Sequence, residues 1–181
     1  KMALLAGAAL IGIAILTGLN HRLIGEVFED ANYNSVNTVP SLLILGDVRQ
    51  EIARLRLRVD RHVMNTDDSK MAELDKSIQE AIDKTEELLK KYEPLVSDAD
   101  DKAALDKVKT AFKGYLEDVD RVLVESRANR NEQARELIEK NVKTARDLDA
   151  TLTEIFKFNA DLGQRSAHTA DETRSFANTL A

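Results

Sequence analysis

Apolar residues recur at alternating spacings of three and four along most of this chain, the pattern of helix faces packed into a bundle. The clearest stripe is Leu45, Val48, Ile52, Leu55, Val59 and His62. A second runs through Met71, Leu74, Ile78, Ala81, Thr85, Leu88 and Tyr92. A third takes Leu105, Val108, Phe112, Tyr115, Val119, Val122 and Ser126, and a fourth Ile138, Asn141, Ala145, Leu148, Leu152, Ile155, Asn159 and Leu162. Between the stripes lie polar runs at Asn65–Ser69 and Ala128–Asn131, and Glu93-Pro94 followed by Ser97-Asp98-Ala99-Asp100, which reads as a helix stop followed by a capping box. Asp68 or Ser69 is the expected cap of the second helix. Pro40 marks an expected bend, and Gly163 a local loosening of the last helix.

The pattern predicts helices over 20–65, 70–93, 98–127 and 132–178. Connections this short join antiparallel neighbours, so the expected fold is all-α: an up-down-up-down four-helix bundle with a long first and fourth helix.

Ahead of the bundle, Met2 to Leu19 is an eighteen-residue stretch in which Thr17 is the only polar side chain. At about 1.5 Å per residue it would extend roughly 27 Å, close to the hydrocarbon thickness of a bilayer. A secretory signal peptide has a shorter apolar region and a small-x-small cleavage site, which is missing after Leu19. The expected organisation is therefore a transmembrane helix over 1–19 and a bundle domain over 20–181. Both long helices would return to the membrane, with a second membrane segment expected beyond Ala181.

Composition narrows the chemistry. Of 181 residues 32% are charged, the net charge is −6, and no cysteine is present. Thiol and disulfide chemistry are excluded, and an acidic chain is a poor partner for nucleic acid. No nucleophile elbow, phosphate loop or zinc-binding helix motif occurs. His21, His62 and His168 lack ligand-type spacing, and the acidic pairs Asp67-Asp68 and Asp100-Asp101 sit at turns, where carboxylates cap helices. Neither catalysis, a metal nor a cofactor is expected.

The concentrated chemistry is arginine. Arg49, Arg54, Arg56, Arg58 and Arg61 surround the stripe of the first helix. At about 100° per residue, Arg49 and Arg56 fall on one flank and Arg54, Arg58 and Arg61 on the other. Guanidinium groups clamp carboxylates with a two-pronged fork, so the arrangement suits a carboxylate at an interface between helices or subunits. Pairing with Asp47, Glu51 and Asp60 on a solvated face is the plainer alternative.

The single anchor, the bundle with long outer helices and the run Arg49-QEIA-Arg54-LRL-Arg58 together resemble the periplasmic sensor region of bacterial methyl-accepting chemotaxis receptors. In the aspartate- and serine-sensing members, R-x4-R-x3-R on the first helix clamps the ligand across a dimer interface. The resemblance implies a homodimer in the bacterial inner membrane, with the bundle in the periplasm. Arg49 of one subunit and Arg54 and Arg58 of the other would bind a small carboxylate, and the ligand would shift the fourth helix across the membrane. The family's threonine near the start of the fourth helix has no counterpart in 129–135, where Arg130 and Arg135 stand instead. This tilts the expected ligand from an amino acid to a di- or tricarboxylic organic acid. Tyr115, Arg121, Thr144 and Thr151 are candidates for a pocket inside one subunit. The alternatives are a membrane-anchored helical scaffold, or the sensor domain of a histidine kinase or cyclase.

Overall fold

The computed structural model describes the backbone of residues 2–180; the side chains at 2–6, 8–9, 12–13, 16, 19–20, 26, 29–31 and 180 lie outside the description. The described residues are mostly helical, with no strand among them: α1 (Met2–Tyr33), a π-turn (Asn34–Thr38), α2 (Val39–Val63), α3 (Asp68–Tyr92), a 3-10 turn (Glu93–Leu95), α4 (Ala99–Arg127), α5 (Asn131–Lys140) and α6 (Val142–Leu180). The chain divides into two compact units, one of residues 41–159 and one of residues 1–40 with 160–181.

The 41–159 unit carries the core. Leu45, Val48, Ile52, Leu55 and Val59 of α2 are buried against Ile78, Ala81 and Leu88 of α3, Leu105, Val108 and Phe112 of α4, and Leu148, Leu152 and Ile155 of α6. Burying one such side chain stabilises the fold by about 1.5–3 kcal/mol, well above an exposed ion pair at about 0–1 kcal/mol. The apolar stripes therefore decide the packing, and the charged residues follow it.

Polar contacts record which stretches meet. Arg127 of α4 holds Asp75 of α3, with its Nη2 2.7 Å from Oδ1, and His62 Nδ1 lies 2.8 Å from Ser126 Oγ. At the opposite end, Asp101 of α4 is fully buried and accepts hydrogen bonds from the Tyr92 hydroxyl at 2.5 Å and the Ser97 backbone N–H at 2.9 Å. Asn159 of α6 donates to the same Tyr92 oxygen at 2.6 Å. On the side of α2 facing α6, Arg56 meets Asp149 and Arg49 meets Thr153.

Helix ends follow the expected chemistry with small changes of register. Asp67, one residue before the expected cap, is the N-cap of α3, accepting from Ser69 N–H and Lys70 N–H. Asp98 caps α4 through the N–H groups of Asp100 and Asp101, while Asp101 reaches back to Ser97. At the other end of α4, Asn129 adopts a left-handed φ of 57°. Arg130 N–H then reaches Glu125 C=O and Asn129 N–H reaches Ser126 C=O, the two bonds of a Schellman motif.

Three expectations need correction. The fourth helical stretch is interrupted at Asn141, which caps the C-terminus of α5 before α6 begins. Asparagine competes for its own backbone and is a weak helix former, so a break there is unsurprising. At Pro40 the backbone stays α-helical; the irregularity falls one turn earlier, at Asn34–Thr38, where Val39 N–H bonds to Asn34 C=O. Proline lacks the N–H that would have reached the Val36 carbonyl, which lies inside that π-turn. Gly163 does not loosen α6 either: it permits a close approach. A Cβ there would stand 2.5 Å from Thr38 Cγ2, and Asn34 Nδ2 donates to the Gly163 carbonyl at 3.2 Å, all within the unit of 1–40 and 160–181.

Among the described residues no helix is long and apolar enough to cross a membrane. The anchor expected over 1–19 rests largely on side chains outside the description.

Candidate functional site

The five arginines of α2 occupy three environments, set by their angle from the buried stripe. Arg49 and Arg56 lean toward α6. The Arg49 guanidinium carbon lies 5.8 Å from the centre of the Phe156 ring, with Nη2 3.4 Å from Thr153 Oγ1. Arg58 turns to α3, where Nη1 donates to the Ser77 carbonyl at 2.8 Å. Arg54 is exposed on the far side and pairs with Glu51 of its own helix, while Arg61, also exposed, lines a hollow with Lys70, Glu73 and Ser77 of α3.

Within one chain, then, Arg49 is held on one flank of α2, Arg58 on the other, and Arg54 on the outward side. The same outward side carries Leu43 and Leu57, which are 65% and 50% exposed.

Arg56, outside the R-x4-R-x3-R run, is the most strongly engaged of the five. Its Nη1 lies 2.9 Å from Asp149 Oδ2 and its Nη2 3.0 Å from Asp149 Oδ1. Nη2 also donates to the Ala145 carbonyl at 3.0 Å, and the guanidinium carbon stands 5.6 Å from the centre of the Tyr115 ring. Burial works against its charge, but the Asp149 carboxylate outweighs burial and holds the Arg56 pKa above its ordinary value. Burial pushes the Tyr115 hydroxyl up to about 12, so it stays protonated as a neutral donor.

Arg56 and Tyr115 line a cavity of about 300 Å³ with Asp118, Asn141, Val119 and Val122. Asp118 is only 5% exposed; one of its oxygens pairs with Arg121, and the other has no partner. Arg56 Nε and Asn141 Nδ2, both buried, also lack partners. The Asn141 break between α5 and α6 places that side chain at the cavity.

Of the four residues expected to line a pocket inside one subunit, Tyr115 does so. Arg121 is linked to the cavity through Asp118. Thr144 and Thr151 are absent from the lining, and the Thr151 hydroxyl is spent on the Leu148 carbonyl at 2.9 Å. Sequence spacing had put Arg56 on the same flank as Arg49, but gave no sign that Asp118 would be buried or that Asn141 would end a helix.

His62 is the one buried histidine among the described residues. Its Nδ1 meets Ser126, and its Nε2 lies 3.4 Å from Asp75, which Arg127 also holds. Burial lowers its pKa from the ordinary 6.5, against the pull of Asp75. Among the described residues no cluster of three or more His, Cys, Asp or Glu side chains could hold a metal ion.

Over residues 1–173 the sequence matches the family described as four helix bundle sensory module for signal transduction. The chain belongs to that family. The match takes in all of the arginine-bearing α2, the cavity and most of α6. No curated protein matches the chain. For a sensory module the relevant chemistry is recognition, and both the arginine face of α2 and the cavity beside Arg56 are places where a small molecule could be held.

Proposed function

We propose that this sensory module is the periplasmic ligand-binding part of a methyl-accepting chemotaxis receptor. It is anchored in a bacterial inner membrane through residues 1–19, and it acts by binding rather than by catalysis. Apolar side chains that stand in the open on α1 support the anchor: Leu10, Ile11 and Ile15 are 68%, 64% and 57% exposed. Contacts such as Arg56 with Asp149, and Tyr92 with Asp101, fit helices that alternate in direction around the core.

The ligand is a small di- or tricarboxylate bound between two copies of the chain. The observation carrying this reading is the outward side of α2, where Arg54 lies exposed one turn from Leu57 and on the same face as Leu43. A second copy apposed there would bring Arg54 and Arg58 of one subunit toward Arg49 of the other. Several guanidiniums need more than one carboxylate to be neutralised. The bound acid relieves their mutual repulsion and biases the last helix by an ångström or two, the usual size of such shifts.

Calorimetric titration of the 181-residue chain in detergent with malate, succinate and citrate tests this reading. Arg54→Ala and Arg58→Ala should each cost roughly 1.5–3 kcal/mol of binding, the range for a hydrogen bond to a charged group. Arg54→Lys should also weaken binding, because the ammonium loses the planar fork. Arg61→Ala should do much less, and equal losses at all three positions would mean a diffuse charge effect.

A second reading, a membrane-anchored helical scaffold, is favoured by one fact: Arg54 and Arg58 already have partners in Glu51 and the Ser77 carbonyl. Absence of binding by all three acids would put the scaffold ahead. The same bundle would equally serve a histidine kinase or cyclase.

A further inference from the structure

We infer that the cavity between α2, α4 and the α5–α6 break is a second ligand site, contained within one subunit. It takes a small molecule of no net charge that offers a hydrogen-bond acceptor at one end, an N–H donor at the other and an aliphatic flank.

Three observations converge on that chemistry. Buried polar groups almost always find partners, and an orphan costs about 1–3 kcal/mol. Yet Arg56 Nε, Asn141 Nδ2 and Asp118 Oδ2 are buried without partners, and all three residues line this one cavity. Two larger hollows, of about 590 and 360 Å³, are lined by none of the residues that carry such atoms. The orphans are two donors and one acceptor, which asks the ligand for an acceptor and a donor in return.

Charge sets the second condition. Arg56 is already neutralised by Asp149, and Asp118 by Arg121. The remaining charged residues of the lining, Asp60 and Arg146, cancel. A ligand with net charge would bring an uncompensated ion into a half-enclosed space, which is costly. That separates this site from the arginine face of α2, which calls for an anion. The third condition is apolar: Val59, Val119 and Val122 are also part of the lining, and about 300 Å³ lies at the small end for ligand pockets.

Two sources share this chemistry, an aliphatic primary amide and an aliphatic zwitterion, represented by isobutyramide and L-valine. Calorimetric titration of the 181-residue chain in detergent with each probe distinguishes them. Saturable binding of at least one probe is expected, weakened tenfold or more by Asn141→Asp, which removes the donor with little change of shape. Asp118→Asn should weaken it likewise; if that variant fails to fold, Asn141→Asp carries the test, with helical circular dichroism as its check. Lys84→Ala, exposed on α3 and outside both sites, should leave the binding unchanged; none of Arg49, Arg54 and Arg58 lines the cavity, so failure of the interfacial carboxylate site would not affect the outcome. The inference is overturned if neither probe binds saturably, if Asn141→Asp binds as tightly as the unaltered chain, or if succinate competes for the site.

Discussion

Arg56 and Asp149 form a two-pronged ion pair between α2 and α6, at 2.9 and 3.0 Å. The pair is half open to water, with side-chain exposures of 31% and 54%, so its two partners should not matter equally. Asp149→Ala should cost about 0.5–1 kcal/mol, as for a surface pair. Arg56→Ala removes the bond to the Ala145 carbonyl and the contact with the Tyr115 ring as well, and should cost about 1–3 kcal/mol. Urea denaturation of both variants checks this. Equal losses would mean that the ring and the carbonyl contribute nothing.

His62 gives the bundle a pH dependence whose direction is fixed. Burial holds its pKa in the folded chain below the ordinary 6.5, so the unfolded chain takes up a proton first as pH falls. Its contribution to stability is complete above about pH 7 and is lost as pH drops through 6.5 toward the folded value. Asp75, kept ionised by its hydrogen bond to Arg127, favours the protonated ring and limits how far that value falls. Thermal melting should therefore shift down between pH 7.5 and 5.5, and His62→Gln should flatten the slope over that window. An unchanged slope in the variant would assign the dependence to other groups.

Glycines of helical sequence normally gain from alanine, by about 0.5–1 kcal/mol. Gly114 and Gly163 should split. At Gly114 the nearest atom to an added Cβ is Thr144 Cγ2 at 3.9 Å, an ordinary contact, and Gly114→Ala should stabilise. At Gly163 the added atom would stand 2.5 Å from Thr38 Cγ2, so Gly163→Ala should destabilise by about 1–3 kcal/mol, the cost of overpacking. Adding Thr38→Ser, which removes that methyl, should recover most of the loss. Thermal melts of the single and double variants decide the point.

These glycines also mark what the sequence could reveal. Periodicity identified the buried stripe of α2, from Leu45 to His62, because core positions on a helix repeat at a spacing set by backbone geometry alone. It also put Arg49 and Arg56 on one flank of that stripe and Arg58 on the other, but it grouped Arg54 with Arg58, whereas Arg54 lies on the outward side, paired with Glu51 of its own helix. It could not separate Gly114 from Gly163, since the difference lies in what a distant helix brings opposite. Asp118 read as one more acidic residue on a charged helix, and its burial depends on α2 and α6 closing over it. Asn141 fitted the stripe by spacing, so its end-of-helix role stayed hidden. The candidate cavity is thus a tertiary product, whereas the arginine run is a local one.

The outward side of α2 makes a prediction about assembly. Leu43 and Leu57 lie on it at 65% and 50% exposure, and Arg54 stands on the same face one turn from Leu57. If two subunits meet there, the apolar residues favour association and the arginines oppose it, so the dimer should be weak alone and stronger with a dicarboxylate. Higher salt should also tighten the unliganded dimer, because screening acts on exposed like charges. Leu57→Glu places a carboxylate among the apolar contacts and should shift the chain to monomer without altering its helical circular dichroism. The position is exposed in the single chain, so the core is untouched. Sedimentation in detergent, with and without malate, reads all three effects. A chain that stays monomeric under every condition would rule out a ligand site shared between subunits and leave the cavity beside Arg56 as the remaining place for recognition.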